Sequence, residues 1–481
     1  MKPALLCISQ SFAPETTPTA IRASKLLGRL AREWDVTVVT EAEGPHGTDG
    51  VRVETVRAKR PTRLFAALRR LRLDKLLELA VWPDNAIFWL PSAVLAGRRL
   101  IRERRPSAIV VFMMPYSAGL AGVALSRLTG LPLVLNLDDS PTCTDMHAYF
   151  PTRLHYRFSR ALEDAYARWA DAVVYVSDTN LAAVRERLPE RVRGKLHLVR
   201  YGADRVGGVG DAGVDDAGVD DAGVGDAGAQ NGSAEAAGQP PGRERAPQPA
   251  QRFEIAYVGA MSGWWALIEQ DEPVSGPKRA FRAWTRLGRY EHMALDERTS
   301  SPAVIGRAIA DAIADRPDWA GRVKLAIHGN PYPADVVARA LAAAGVQDLV
   351  DVGGPVPHER VAQIVAEADL LFLTLPTRLD GSRGGRISAK TYEYLATDRP
   401  ILAAVPRGEN WDYLAGKPGV WLLEPGDQRA MRDAIVELAQ AKFAGRALSF
   451  DRSALAEQLS YDTRAGEFAS VVRAAIERRD A

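Results

Sequence analysis

Twice along this 481-residue chain, short apolar runs alternate with longer amphipathic stretches, and the alternation breaks sharply only once. Short apolar runs bounded by turn residues read as strands buried on both faces, and stretches with 3.6-residue periodicity read as the helices that cover them. A chain that repeats this unit is confined to doubly wound, parallel α/β sheets. In the first series, Ala4-Leu-Leu-Cys-Ile8 opens a strand, and Ile21, Leu26, Leu27 and Leu30 then share one helical face. The second series restarts at Glu254-Ile-Ala-Tyr-Val258 and closes with two helical patterns, the last running from Ser453 to Ile476. Two Rossmann-like domains facing each other across a cleft are the expected architecture.

The break lies at 205–251, where Gly-Asp-Ala-Gly-Val and close variants repeat from Gly210 to Ala229. With no aromatic and few large aliphatic side chains, this segment cannot offset the entropy of ordering, so it reads as a disordered insertion. Gly208, Gly210 and Gly213 spell G-x-G-x-x-G there, but no helical pattern follows, so the match is discarded. Its aspartates recur every five residues, which is not the calcium β-roll repeat. The expected division is 1–204 as a first domain, 252–460 as a second, and 461–481 as a helix crossing back to the first. The stretch 262–299 reads as an irregular insertion after the strand ending at Val258.

The chain carries 62 basic and 60 acidic side chains, a net charge of +2, which argues against a nucleic-acid binder. The acidic repeat masks a basic excess in the folded halves. Two cysteines, Cys7 and Cys143, cannot build a zinc cluster, and Cys7 in its apolar run reads as core. The N-terminal apolar run is too short for a signal sequence and no run is long enough to span a membrane, so a cytoplasmic protein is expected.

The segment richest in chemistry is Gly381-Ser-Arg383-Gly-Gly385-Arg386-Ile-Ser-Ala-Lys390-Thr-Tyr-Glu393-Tyr-Leu-Ala396. A Gly/Arg loop opening a helix can bring amides, Arg383, Arg386 and Lys390 to one anion. Lys390 and Glu393 are three residues apart and share a face; a solvated ion pair is the plainer reading.

Ser388 to Ala396, followed by Arg399-Pro400-Ile401-Leu402, resembles the donor-site helix of GT-B glycosyltransferases of family 4, in a sub-branch with a Lys-x-x-Glu-Tyr-Leu-Ala pattern. Further segments are similar in the family's order: Phe12-Ala-Pro14 with Arg22, Asp35 to Thr40, Ala170 to Ser177, Arg200 to Asp204, and Gly353 to Glu359 with Ala368-Asp369. The resemblance implies retaining transfer of a sugar from a nucleotide-diphospho-sugar to a glycan or lipid-linked acceptor, in cell-surface polysaccharide or glycoconjugate synthesis. It implies no cofactor and no metal. By position, Glu393 would take the ribose hydroxyls, and Lys390 and Arg386 would stabilise the departing diphosphate. Val356 would meet the base, and Gly259 would let the donor approach the strand end. Arg383 and Gly385 complete the donor loop, and Thr19, Arg22 and Asp139 fall on the acceptor side.

Three departures from the family pattern stand out. The glutamate usual eight positions before Glu393 is Gly385, Thr17-Pro18-Thr19 replaces a glycine pair, and no Arg-Lys pair follows the strand ending at Val258. Lys278 and Arg279 are the substitutes on offer for that pair. A GT-B-like sugar-nucleotide epimerase and an inactive binding homologue are the alternative functions. Asp138-Asp139 is open to a metal-binding reading. Finally, 57–75 combines Arg57, Lys59, Arg60, Arg63, Arg69, Arg70, Arg72 and Lys75 with Leu64, Leu68 and Leu71 at helical spacing. That is the pattern of a helix lying on an anionic membrane, such as the inner face of the plasma membrane, or of a solvated helix packing one stripe on its domain.

Overall fold

A computed structural model describes residues 2–45, 47–143, 145, 149–205, 251–261, 263–268 and 276–480. The acidic repeat and its G-x-G-x-x-G lie outside the described residues.

The apolar runs form two parallel sheets. The first has seven strands in the spatial order Val51–Thr55, Asp35–Thr40, Ala4–Ser9, Ala108–Phe112, Leu133–Asn136, Ala172–Tyr175 and Leu196–Leu198. The second has six: Val350–Val352, Val323–His328, Phe253–Val258, Leu370–Thr374, Ile401–Ala404 and Val420–Leu423. In each, the first strand in sequence lies inside the sheet and the winding reverses beside it, which opens a crevice at the carboxyl ends of the central strands. In the second sheet that crevice lies beyond Val258 and Thr374.

Helices cover both faces of the first sheet. One face packs Leu26, Leu27 and Leu30 of the helix Pro18–Leu30, and the other packs Leu125 of the helix Ala118–Thr129. Cys7 is fully buried in this core, and burial pushes its thiol far above the ordinary range. The closing helical pattern is two helices, Ser453–Leu459 and Tyr461–Asp480. Ser460 is extended between them, and its hydroxyl accepts the Thr463 amide (3.2 Å), capping the second helix. That second helix packs Phe468, Val472 and Ala475 into the core of the first domain, with the Phe468 ring stacked 6.1 Å from Phe112. Val176, Tyr201 and Ala203 of the first domain join the core around Tyr392 and Leu459 of the second. The domains therefore share buried surface.

The described residues of the stretch 262–299 form regular elements that its sequence pattern does not indicate. They include the helices Trp264–Ile268 and Gly276–Arg286, and Tyr290–Glu291 pairs antiparallel with Tyr149–Phe150 of the first domain. The basic segment 57–75 is two short helices, Thr62–Arg70 and Asp74–Ala80, because Arg72 turns into the left-handed region (φ 56°).

Candidate active site

The helix Ala389–Leu395 is fixed on one side and open on the other. Thr391, Tyr392, Tyr394 and Leu395 are buried. The Thr391 hydroxyl donates to Asn410 Oδ1 (2.8 Å), and the Tyr394 hydroxyl oxygen accepts the Val258 amide (3.2 Å). This locks the helix to the end of the central strand and leaves Lys390 and Glu393 half-buried on its other face.

Lys390 Nζ lies 5.1 Å from the centre of the Tyr257 ring, within cation–π range. Gly259 holds φ +106°, and a Cβ there would sit 3.1 Å from Lys390 Cε and Nζ, so the glycine makes the space the ammonium occupies. The loop at Gly329 packs against Gly259 from one side and approaches Val356 on the other. Gly259, Val356 and Lys390 thus surround the switch-point crevice. Glu393 borders a neighbouring cavity of about 140 Å³ that it shares with Ile21, Lys25 and Asp204 of the first domain and Val365 of its own.

Arg386 is half-buried, and among the described residues neither Arg386 nor Lys390 has a hydrogen-bonded or ion-paired side-chain partner. Arg383 is different: its Nη2 lies 2.5 Å from Asp412 Oδ2 in an exposed pair. Gly385 is buried against the first domain. Its carbonyl accepts from Ser177 Oγ (3.0 Å), and a Cβ would lie 3.2 Å from Thr179 Cγ2 and 3.4 Å from Arg378 Nη2. A longer side chain at that position crowds the Thr179, Asn180 and Arg378 side chains. The Lys278 and Arg279 side chains lie outside the described residues.

The acceptor-side candidates separate. Arg22 has no exposed surface; it pairs with Asp138 (3.1 Å) and donates to the carbonyls of Arg200 (2.9 Å) and Val199 (2.8 Å). Thr19 is also buried, its hydroxyl 3.4 Å from Asp138 Oδ2. Asp138 further accepts from Asn136 (2.7 Å) and Tyr201 (3.3 Å). Burial raises its pKa, and Arg22 and these donors oppose the rise. Arg22 and Thr19 both brace the first domain from inside, because Asp138 needs a cation and donors once it is out of water. The same bonds commit Asp138 internally. Asp139 is half-buried at the strand end, its carbonyl accepting the Tyr116 hydroxyl (3.1 Å).

Residues 19–202 match the family described as Glycosyl transferase 4-like domain, and residues 295–441 match Glycosyl transferases group 1. Together the two matches span well over half of the chain. The chain thus carries a glycosyl transferase 4-like domain followed by a group 1 glycosyl transferase domain. No curated protein matches it in sequence. In fold it is similar to HepE of Anabaena, solved in complex with UDP and glucose, at 13% identity over 98% of this chain and 99% of that one, with a TM-score of 0.57. Sucrose-phosphate synthase of Thermosynechococcus elongatus is similar at 16% identity, 98% of both chains and a TM-score of 0.59. So is an α,α-trehalose-phosphate synthase of Burkholderia vietnamiensis, at 14% identity, 100% of this chain and 99% of that one, and a TM-score of 0.54. The architecture is GT-B.

This glycosyltransferase also uses residues that its sequence does not point to. Glu409 is buried at the domain boundary, where its carboxylate accepts the amides of Asp178 (2.7 Å) and Thr179 (3.1 Å) and the Ser177 hydroxyl (2.5 Å). A carboxylate on a helix N-terminus satisfies orphan amides and meets the positive end of the helix dipole. Arg378 reaches across the same boundary to Asp145 (2.5 Å). Both contacts hold the donor loop between them. A glutamate directly after Gly408 and before a helical pattern was the only available signal, and its partner lies 231 positions away.

Proposed function

We propose that this glycosyltransferase transfers a sugar, with retention and without a metal, from a nucleotide-diphospho-sugar to a glycan or lipid-linked acceptor in cell-surface polysaccharide or glycoconjugate synthesis. The observation that carries this reading is Lys390, half-buried beside the switch point at Gly259 without an ion-pair partner among the described residues, with the likewise unpaired Arg386 on the loop four residues before it. Cations partly held out of water without counter-ions favour an anionic group. As the glycosidic bond breaks, charge builds on the leaving diphosphate, and cations already in place stabilise it without reorganising. Glu393, with two acceptor oxygens, suits vicinal ribose hydroxyls. The UDP found with HepE is consistent with a donor of this class.

The test is transfer from a panel of nucleotide sugars, run with and without EDTA, in the wild type, Lys390→Ala and Glu393→Ala. Turnover that survives EDTA and is lost in both variants is expected. Wild-type turnover in either variant, or epimerised donor in place of transferred sugar, overturns the proposal.

A second reading concerns where the enzyme works. No helix among the described residues is long and apolar enough to cross a membrane. Leu64, Leu71 and Leu76 are nevertheless exposed beside the exposed Arg63, Arg70 and Arg72, and Arg72 lies over Phe281 (5.6 Å) of the second domain. Arg57 and Arg60 are paired with Glu43 and Glu41, and Lys75 is buried against Glu78, so the free charge is smaller than the sequence indicates. We propose that this face meets an anionic membrane. Liposome binding is expected to fall when Arg69, Arg70 and Arg72 are changed to Glu; unchanged binding refutes it.

A further inference from the structure

A second cavity, of about 190 Å³, lies in the first domain at the carboxyl edge of its sheet. Its walls include Trp82, Tyr116, Leu137, Phe150, Leu162 and Tyr166. Polar side chains also border it, and those of Asp84, Glu163, His155 and Trp82 are engaged within the protein. Asp84 accepts the amides of Ala86 (3.0 Å) and Ser117 (3.0 Å). Glu163 pairs with Arg187 and accepts from Thr142 (2.9 Å) and Tyr175 (3.2 Å). His155 bonds the Leu79 carbonyl (3.1 Å) and Thr152 (2.8 Å), and Trp82 donates to Ser159 (3.2 Å). A guest therefore meets ring faces and hydrocarbon. A site of this kind excludes a free sugar, whose hydroxyls would lose water without finding partners.

Position says what the guest belongs to. The Tyr116 hydroxyl that borders the cavity bonds the Asp139 carbonyl, on the edge facing the donor domain. On the opposite side the wall includes Glu78 and Val81 beside the helix Asp74–Ala80, which carries the exposed Leu76. Phe158, half exposed, stands edge-on to Trp82 at 5.9 Å. The cavity wall thus spans from the helix that carries Leu76 to Tyr116, whose hydroxyl bonds Asp139 at the strand end. The volume is also informative: a dry apolar cavity of roughly 150 Å³ holds one benzene, so this one takes only the first few carbons of a chain.

We propose that this cavity binds the hydrocarbon next to the acceptor's head group, so that the acceptor is lipid-linked and not a free glycan. The inference rests on the acceptor-side reading of the first domain. Its test uses alkyl β-glucosides from methyl to octyl, below their micelle concentrations, as probes on the full chain. Affinity is expected to rise by about fourfold per buried methylene and then level off once the cavity is full. Val81→Trp and Leu162→Trp fill the cavity from two elements and are expected to abolish the chain-length dependence. A terminally brominated butyl glucoside should quench tryptophan fluorescence in the wild type, and Trp82→Phe should remove most of that quenching.

Nucleoside-diphosphate binding, followed in parallel, is expected to be unchanged in all three variants. Chain-length dependence that survives both filling variants locates the alkyl group elsewhere and overturns the proposal, as does its absence in the wild type. Should a filling variant fail to fold, as judged by its melting curve, the Trp82→Phe quenching decides. Failure of nucleotide binding in the wild type would sink the donor-site reading and leave the cavity result standing.

Discussion

Two clusters of cations lie close to the domain boundary, and they are treated in opposite ways. Arg22 is wholly buried, and its guanidinium meets Asp138, the Arg200 and Val199 carbonyls and the Tyr201 ring (4.9 Å). Arg386 and Lys390 are only half-buried, yet they have no anionic partner among the described residues. Charge that is removed from water and fully matched makes structure; charge that is partly removed and left unmatched makes a site for an anion. Position in the sequence does not separate the two, since both sit near motifs of the same family pattern.

The comparison breaks most visibly at Arg22. Arg22→Ala leaves Asp138 buried without its cation, and a cost of about 3–5 kcal/mol in unfolding free energy is expected. Chemical denaturation checks it, and the double variant Arg22→Met with Asp138→Leu should recover much of the loss. If Arg22→Ala instead leaves stability intact and lowers acceptor affinity, Arg22 belongs to the cleft after all.

Lys390→Ala is the reverse case. With no partner to orphan, stability should change by about 0.5 kcal/mol or less. Transfer should fall by about 100-fold or more, the scale for removing one preorganised group that meets developing charge. Steady-state kinetics beside a thermal melt separates the two effects. Gly259→Ala tests the same site through its backbone. The added methyl, 3.1 Å from Nζ at φ +106°, must move the lysine, and a misplacement of that kind costs up to about 100-fold in rate.

How much of this was legible beforehand follows from the range of the forces involved. Strands such as Ala108–Phe112 are apolar at every position and read directly, and Lys390 and Glu393 read as one face because helix spacing is local. The burial of Arg22 was not legible, because its partner is Asp138, far along the chain, and nothing near Arg22 announces it. The stretch 262–299 looked irregular because its helices are short, and the buried Trp264 and Ile268 stand among aromatic and charged neighbours. Gly385 shows the limit differently. Its departure from the family pattern was visible, but the reason, helix Asp178–Arg187 packed directly on it, is a contact between domains.

Glu409 sharpens the comparison between matched and unmatched charge, because it is a buried anion matched by backbone. Glu409→Gln keeps the shape and one acceptor oxygen but removes the charge facing two helix amides. Hydrogen bonds to a charged group are worth about 1.5–3 kcal/mol, and most of that should be lost. The domains share further contacts, so the chain should stay folded while the boundary loosens. Faster proteolysis near the donor loop and a larger radius of gyration are the expected readouts, with nucleotide affinity falling only a few-fold.

Arg383→Ala should do least. Its pair with Asp412 is exposed on both sides (65% and 60%), and pairs of that kind contribute roughly 0–1 kcal/mol because water screens them. If Arg383 is only a surface residue, Arg383→Ala should leave both the melting temperature and the KM for donor within about twofold of wild type. A larger rise in KM, with the melting temperature unchanged, would mean that Arg383 leaves Asp412 when the donor arrives. Arg383 would then join Arg386 and Lys390 as a third cation on the anion, and the paired state seen here would be the resting position of a group that swings in. Measuring KM in Arg383→Ala and in Asp412→Asn distinguishes these outcomes. Releasing the arginine by Asp412→Asn should lower KM if it swings and leave it unchanged if it does not.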